Sequence, residues 1–449
     1  MAQTNRSRVF YRHLKTDYAT VGTGAGAYIT DKTGKQYLDA SGGAAVSCLG
    51  HGHPRIIAAI KAQLDQMAFA HTGFFTNEPA EELAEVLSAK APGGAWRVYF
   101  LSGGSEANEA ALKMARQIHV ERGETSRDTF LARRMSYHGN TLGALSVSGN
   151  LARRATFQPI LLPNVRHAEP CFAFRHKRDD ESNEDYGLRA AGTVARHIED
   201  LGEGRAISFI SETVVGATLG AVPPAPGYFK EIRRICDETG TLMILDEVMS
   251  GMGRTGTLFA CEQDGVVPDM ITLAKGLGAG YQPIGALMVR EELAEIIETG
   301  SGFFQHGHTY VGHPTACAAG LEVQKVFDDE QLVARSAAMG VKLRTVLAEK
   351  FADHPHVGDI RGRGLFMGVE LVEDRATNDP FDPARGVGGK IRPFALENGL
   401  VCYPGSGTID GIKGDHVMLA PPFIVTDAQL DELADKLARS IDQAIAAGA

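Results

Sequence analysis

The chain has 449 residues, 44% hydrophobic and 22% charged, the balance of a folded soluble protein and not of long disorder. That length gives room for two or three domains sharing one large core. A formal net charge of −10 speaks against non-specific attachment to nucleic acid or to an anionic membrane.

In chain order, the lead-in MAQTNRSRVFYRHLK carries positive charges with no apolar segment behind them, so a secretory signal is not expected. The alternation of Tyr28/Thr30 and Tyr37/Asp39 about Lys32-Thr33-Gly34-Lys35 predicts a β-hairpin with a glycine turn. Just ahead of it, GTGAGA (22–27) imitates a dinucleotide fingerprint. That motif must follow a strand and open a helix, whereas this one opens a hairpin. Ile56, Ile57, Ile60, Leu64 and Met67 then fall on one helical stripe. From about residue 80 to 325, helices alternate with short apolar strands at 98–101, 129–132, 207–210, 242–245, 270–273 and 286–289. Fully apolar strands between helices predict a mostly parallel sheet covered on both faces. The charged stretch RHKRDDESNED (175–185) reads as a solvated loop. Beyond residue 326, helices at 334–351 and 427–446 flank a strand at 364–371. No apolar run approaches the roughly 18 residues of a membrane span. Cys48, Cys171, Cys236, Cys261, Cys317 and Cys402 lie far apart with no C-x-x-C, as reduced thiols of a cytoplasmic protein would.

Ligands of such folds gather at the carboxyl ends of parallel strands. After the strand at 98–101, SGGSEANEAALKMAR (102–116) sets glycines and a serine before a helix whose inner face is small: Ala107, Ala110 and Ala111. Free N–H groups and the positive dipole end there favour a phosphate; the alternative is an ordinary N-cap by Ser105 with Glu106 in the first turn. MSYHGNT places Tyr137 and His138 together, Tyr137 as a platform for a flat ring or as a core aromatic. The next two strands deliver Glu212, then Asp246 and Glu247. An acid directly after four apolar residues needs a cation or hydrogen-bond donors, from a structural pair or from a cationic ligand. Lys275 follows the strand at 270–273, where burial lowers an amine's pKa and favours the nucleophilic neutral form. Phosphate cradle, stacking ring, buried acid and strand-end amine are together the requirements of pyridoxal phosphate.

Nearly end to end, the sequence resembles the class III aminotransferases of the fold type I pyridoxal-phosphate enzymes. The likeness is carried by ILDEVMSGMGRTGTLFACEQDGVVPDMITLAKGLGAGYQPIGALMV (244–289), with LGHGHP (49–54), SGGSEANEAALKMAR, YHG (137–139) and GHTYVGHPTACAAG (307–320). It implies an α/β fold with a large, mostly parallel, helix-covered sheet domain at 71–325. A smaller α+β domain would come from the two chain ends, 1–70 and 326–449. The resemblance also implies a homodimer, or dimer of dimers, with active sites at the subunit interface.

The implied cofactor is pyridoxal 5'-phosphate, with Lys275 as its covalent anchor and later the proton shuttle. Asp246 would hold the pyridinium nitrogen protonated, Val248 would pack beneath the ring and Tyr137 above it, and His138 would be a further cofactor contact. Gly104 and Ser105 would bind the phosphate, Thr309 would reach the phosphate of the neighbouring subunit's cofactor, and Glu212 would sit near the phenolic side. The implied reaction is a ping-pong transfer of an amino group from an ω-amine, ω-amino acid or related donor to a 2-oxo acid such as pyruvate. An aminomutase or a dialkylglycine-type decarboxylase on the same scaffold is the alternative, because fold does not fix reaction.

The pairs His51/His53 and His306/His308 show no carboxylate or cysteine partners in the sequence, so a metal is not expected. Gly42-Gly43-Ala44-Ala45-Val46 stands where several relatives carry a bulky aromatic, which predicts added cavity volume, with Phe74 and Phe75 replacing some apolar surface. Relatives pair the acceptor's carboxylate with an arginine ahead of Pro421-Pro422-Phe423; here DGIKGDHVMLA offers only Lys413, a point charge and not a bidentate fork.

Overall fold

The computed structural model describes residues 7–448. Its largest sheet has seven strands, in the spatial order Trp96–Leu101, Gly285–Arg290, Met270–Leu273, Leu242–Asp246, Ala206–Glu212, Thr129–Arg133, Val165–Ala168. The last five run parallel. Gly285–Arg290 is antiparallel to both its neighbours. Every residue of the three strands from Ala206–Glu212 to Met270–Leu273 is buried, as two covered faces require. Successive side chains alternate between those faces. Leu242 and Ile244 join a core under the helices Gly104–Glu121 and Glu291–Thr299, while Met243 and Leu245 join the core under Asn183–Leu201, Tyr228–Thr239 and Pro314–Asp329.

Both chain ends build the remaining sheets. Tyr28–Asp31 and Gln36–Asp39 form the expected hairpin. Val21–Ala25 adds a third strand, so GTGAGA leads from strand to strand and opens no helix. Leu400–Val401 extends this sheet in parallel with Gln36–Asp39, joining residues some 360 positions apart. A second, antiparallel sheet orders Val357–Arg363, Phe366–Leu371, Asp415–Leu419 and Tyr403–Ser406. Leu332–Lys350, Val387–Glu397 and Asp427–Ala447 are the helices of this end. Among the described residues no helix is long and apolar enough to cross a membrane.

The expected helix forms at Pro54–Gln66, and of its apolar stripe only Ile56 is fully buried, while Ile57, Leu64 and Met67 are exposed. One expectation is corrected. The charged stretch at 175–185 is no loose loop. Ser182 and Asp185 make a capping box that starts the helix Asn183–Leu201. Arg175 reaches Glu370, whose side chain is fully buried. Counting charges along the chain reveals neither the cap nor a partner 195 residues away.

Candidate active site

Parallel strand ends converge on a cavity of about 470 Å³, the size of a small-molecule site. Glu212 and Asp246 are register partners at the ends of adjacent strands, each 4% exposed. Two buried carboxylates so close need donors to hold them. Asp246 Oδ2 accepts from His138 Nδ1 and from Asn108 Nδ2, both at 2.8 Å, and Oδ1 accepts from the Val248 N–H at 3.0 Å. An ionised carboxylate only accepts, so the Nδ1 of His138 carries a proton. Oδ1 retains a lone pair for one further donor. Asn108 cannot flip: its Oδ1 accepts from Thr272 Oγ1 at 2.7 Å while its Nδ2 also donates to the His138 carbonyl at 2.7 Å. Glu212 accepts from the N–H groups of Tyr137 (2.9 Å) and Gly216 (2.8 Å); burial raises its pKa and Asp246 adds to the rise.

Lys275 follows Met270–Leu273 after one residue, with φ at 44°, a left-handed backbone that costs a non-glycine residue energy and is stored at functional sites. Its side chain lines the cavity, where burial lowers its pKa against the opposing pull of Asp246 and Glu212. The helix Gly104–Glu121 begins at Gly103 with no side-chain cap, which leaves first-turn N–H groups for a ligand. Ser105 is therefore not the cap; it lies inside the first turn, and its Oγ accepts from the Asn140 N–H at 3.1 Å. Packing here tolerates no added carbon: a Cβ on Gly104 would stand 2.8 Å from Val248 Cγ1, and one on Gly139 (φ +136°) 2.5 Å from Ser105 Oγ.

Of the predicted site residues, Lys275, Asp246, Glu212, Gly104, Ser105, Tyr137, His138 and Val248 all line this one cavity. Thr309 does not; it is exposed on a loop outside the cavity of its own chain. Asn108 was missed, although a lone amide on the helix face of Ala107, Ala110 and Ala111 is a signal. Glu247 turns away from the cavity and accepts from Ala260 and Cys261 N–H, each at 2.7 Å, and from Thr213 Oγ1 at 3.1 Å; burial pushes its pKa up to about 7.

Other expectations fail. Phe74 and Phe75 are 82% and 66% exposed and do not line the cavity. Of Gly42 to Val46 only Val46 reaches it, because residues 42 to 45 all have left-handed φ and coil into a tight turn. Lys413 is exposed in a turn closed by Asp410, outside the cavity. The first His-Gly-His pair does have carboxylate partners, but divergent ones: His51 meets Asp39 at 3.2 Å and His53 meets Glu330 at 3.3 Å. His306 and His308 meet each other at 3.1 Å, beside Lys113.

The fold is that of the fold type I pyridoxal-phosphate transaminases. The omega transaminase of Pseudomonas jessenii, solved in complex with PMP, matches it with a TM-score of 0.90 and 32% identity over 97% of each chain. The model of the class-III aminotransferase family matches residues 11–441. An aminotransferase of Schizosaccharomyces pombe is 43% identical over 98% of this chain and 96% of its own. The Bacillus subtilis aminotransferase YodT is 39% identical over 94% of each. The chain belongs to the class-III aminotransferases, and it is an enzyme of amino transfer.

Proposed function

We propose that the protein holds pyridoxal 5'-phosphate in this cavity and moves an amino group from an ω-amine, ω-amino acid or related donor to a 2-oxo acid such as pyruvate. The observation that carries this reading is that Lys275, Asp246 and the uncapped end of Gly104–Glu121 open onto one space. The donor set fits the cofactor: first-turn N–H groups and the Ser105 hydroxyl for a phosphate, Tyr137 and Val248 for a flat ring, and a free Oδ1 lone pair on Asp246 for a ring N–H. Bound there, the cofactor supplies an electron sink for the carbanion formed at the donor's amine-bearing carbon.

The chain's own groups do the rest. His138 and Asn108 hold the Asp246 carboxylate in place by donating to Oδ2, and its Oδ1 would accept the ring N–H. Lys275 would anchor the cofactor, and its Nζ, once free, would hold and move the proton of the donor's amine-bearing carbon, roles that a depressed amine pKa suits. Thr309 serves the partner's phosphate in a homodimer or dimer of dimers, which its exposed position in its own chain supports. The sheet shared by both chain ends supports a division into a large domain at 71–325 and a smaller one from 1–70 and 326–449. The six free cysteines agree with a reducing, cytoplasmic setting.

The test is a half-reaction. Protein saturated with pyridoxal phosphate is mixed, without oxo acid, with ω-amines, ω-amino acids and α-amino acids while the visible absorbance is followed. Loss of absorbance with an amine that lacks an α-carboxylate is expected for the wild type and is abolished in Lys275→Ala. A spectrum unmoved by every amine, with the cofactor still trapped on the wild type by borohydride, would put the aminomutase or decarboxylase ahead.

A further inference from the structure

Transfer to a 2-oxo acid brings a carboxylate into the site, and a carboxylate leaving water needs a cation or N–H donors. Among the described residues that line the cavity, Lys275 is the one lysine or arginine, and its amine is engaged in the chemistry. Asp246 and Glu212 repel an anion. Lys413 lies outside. Within this chain, a further cation would come from the surroundings of the cavity.

Arg153 does not line the cavity but contacts one of its walls. It sits on the short helix Leu151–Arg154, half-buried, with its guanidinium carbon 4.5 Å from the centroid of the Tyr137 ring, itself a wall of the cavity. The next residue, Arg154, is committed, donating to the Ser148 carbonyl at 2.9 Å and facing His167. The Arg153 guanidinium has no carboxylate and no side-chain hydrogen bond among the described residues; the Tyr137 face is its contact. The nearby His416 adds no competing positive charge, since burial, with Arg361 and Arg153, pushes that ring's pKa down to about 3.

We propose that Arg153 binds the carboxylate of the 2-oxo acid acceptor, leaving the Tyr137 face to form a bidentate pair and returning to it when a donor carries no carboxylate. This rests on the reading that the acceptor is a 2-oxo acid. An arginine held only by the face of a ring is held weakly, whereas its planar fork matches a carboxylate with two charge-assisted hydrogen bonds, so the exchange runs toward the substrate.

The experiment compares acceptors in the holoenzyme. The kcat/KM for pyruvate is divided by that for an aldehyde of similar size, in wild type, Arg153→Ala, Arg153→Lys and Lys413→Ala. In Arg153→Ala the ratio is expected to fall on the order of 10- to 100-fold, the loss of one charge-assisted pair. Arg153→Lys recovers part of it, and Lys413→Ala leaves it near the wild-type value. A ratio that stays within about threefold in Arg153→Ala, or falls only in Lys413→Ala, overturns the assignment. Because the aldehyde reports folding and cofactor loading in the same variant, a damaged protein lowers both rates and spares the ratio, which also counts against Arg153. A wild type that uses aldehydes but no 2-oxo acid overturns the substrate reading itself, an outcome distinct from failure of the arginine.

Discussion

Asp246 and Glu247 are consecutive acids with opposite surroundings. One lines the cavity among hydrogen-bond donors, and the other is packed beneath Ala260 and Cys261 with its pKa raised to about 7. An unfolded glutamate titrates lower, so the folded chain binds the Glu247 proton more tightly. The stability this contributes is full below the unfolded value and is lost as pH rises through about 7. Relative to Glu247→Gln, the wild type should lose up to about 3 kcal/mol of advantage between about pH 5 and pH 8. Chemical denaturation of both proteins at the two pH values checks this, and an advantage that grows with pH would refute it. At this scale the sequence was legible wherever an ionisable group ended an apolar run, as with Glu212, Asp246 and Lys275. Asn108 was not, because what marks it is contact with Asp246, 138 residues on.

The helix Gly104–Glu121 carries the cradle, and its first residue is the sensitive one. A methyl group on Gly104 lands on Val248, whose side chain must move into the space of the ring. Overpacking of this kind costs about 1 to 3 kcal/mol, so Gly104→Ala should weaken pyridoxal-phosphate binding by roughly 10- to 100-fold. Titration of the apoprotein, followed by absorbance, measures it, and far-UV circular dichroism shows whether the helix persists; unchanged affinity would remove this helix end from the site. Six strands of the large sheet could be read from the sequence as apolar runs. The seventh, Val165–Ala168, could not, because an edge strand of sequence VRHA is too short and too polar to stand out. The stretch at 175–185 misled for the converse reason: charge suggests solvent, yet Arg175 has a buried partner.

For the molecule as a whole, the helical stripe legible in the sequence is periodic, yet its Ile57, Leu64 and Met67 are exposed in their own chain. With Phe10, Phe74, Phe75, Phe303 and Tyr310 they make a set of exposed large apolar side chains, which would favour association. In the proposed homodimer the partner would cover such residues, and Thr309 would reach the partner's cavity. Sedimentation equilibrium should give at least twice the 48.0 kDa of the chain. The double variant Phe74→Asp, Phe75→Asp should shift toward monomer and lose turnover, and a fully active monomeric wild type would contradict the interface.

The antiparallel strand Gly285–Arg290 has a consequence for how the molecule yields under stress. Ala286 pairs with Leu273, so the segment that carries Lys275 leaves and re-enters the sheet at a single closed base. Both flanking strands are buried and central, and freeing the segment would require unzipping them. The rim, drawn from surface turns and chain ends, can breathe through local openings that leave this base intact. Slow amide exchange at Leu273 and Ala286 would then mark the last region to open, and the reactive amine would stay in register until the whole sheet gives way.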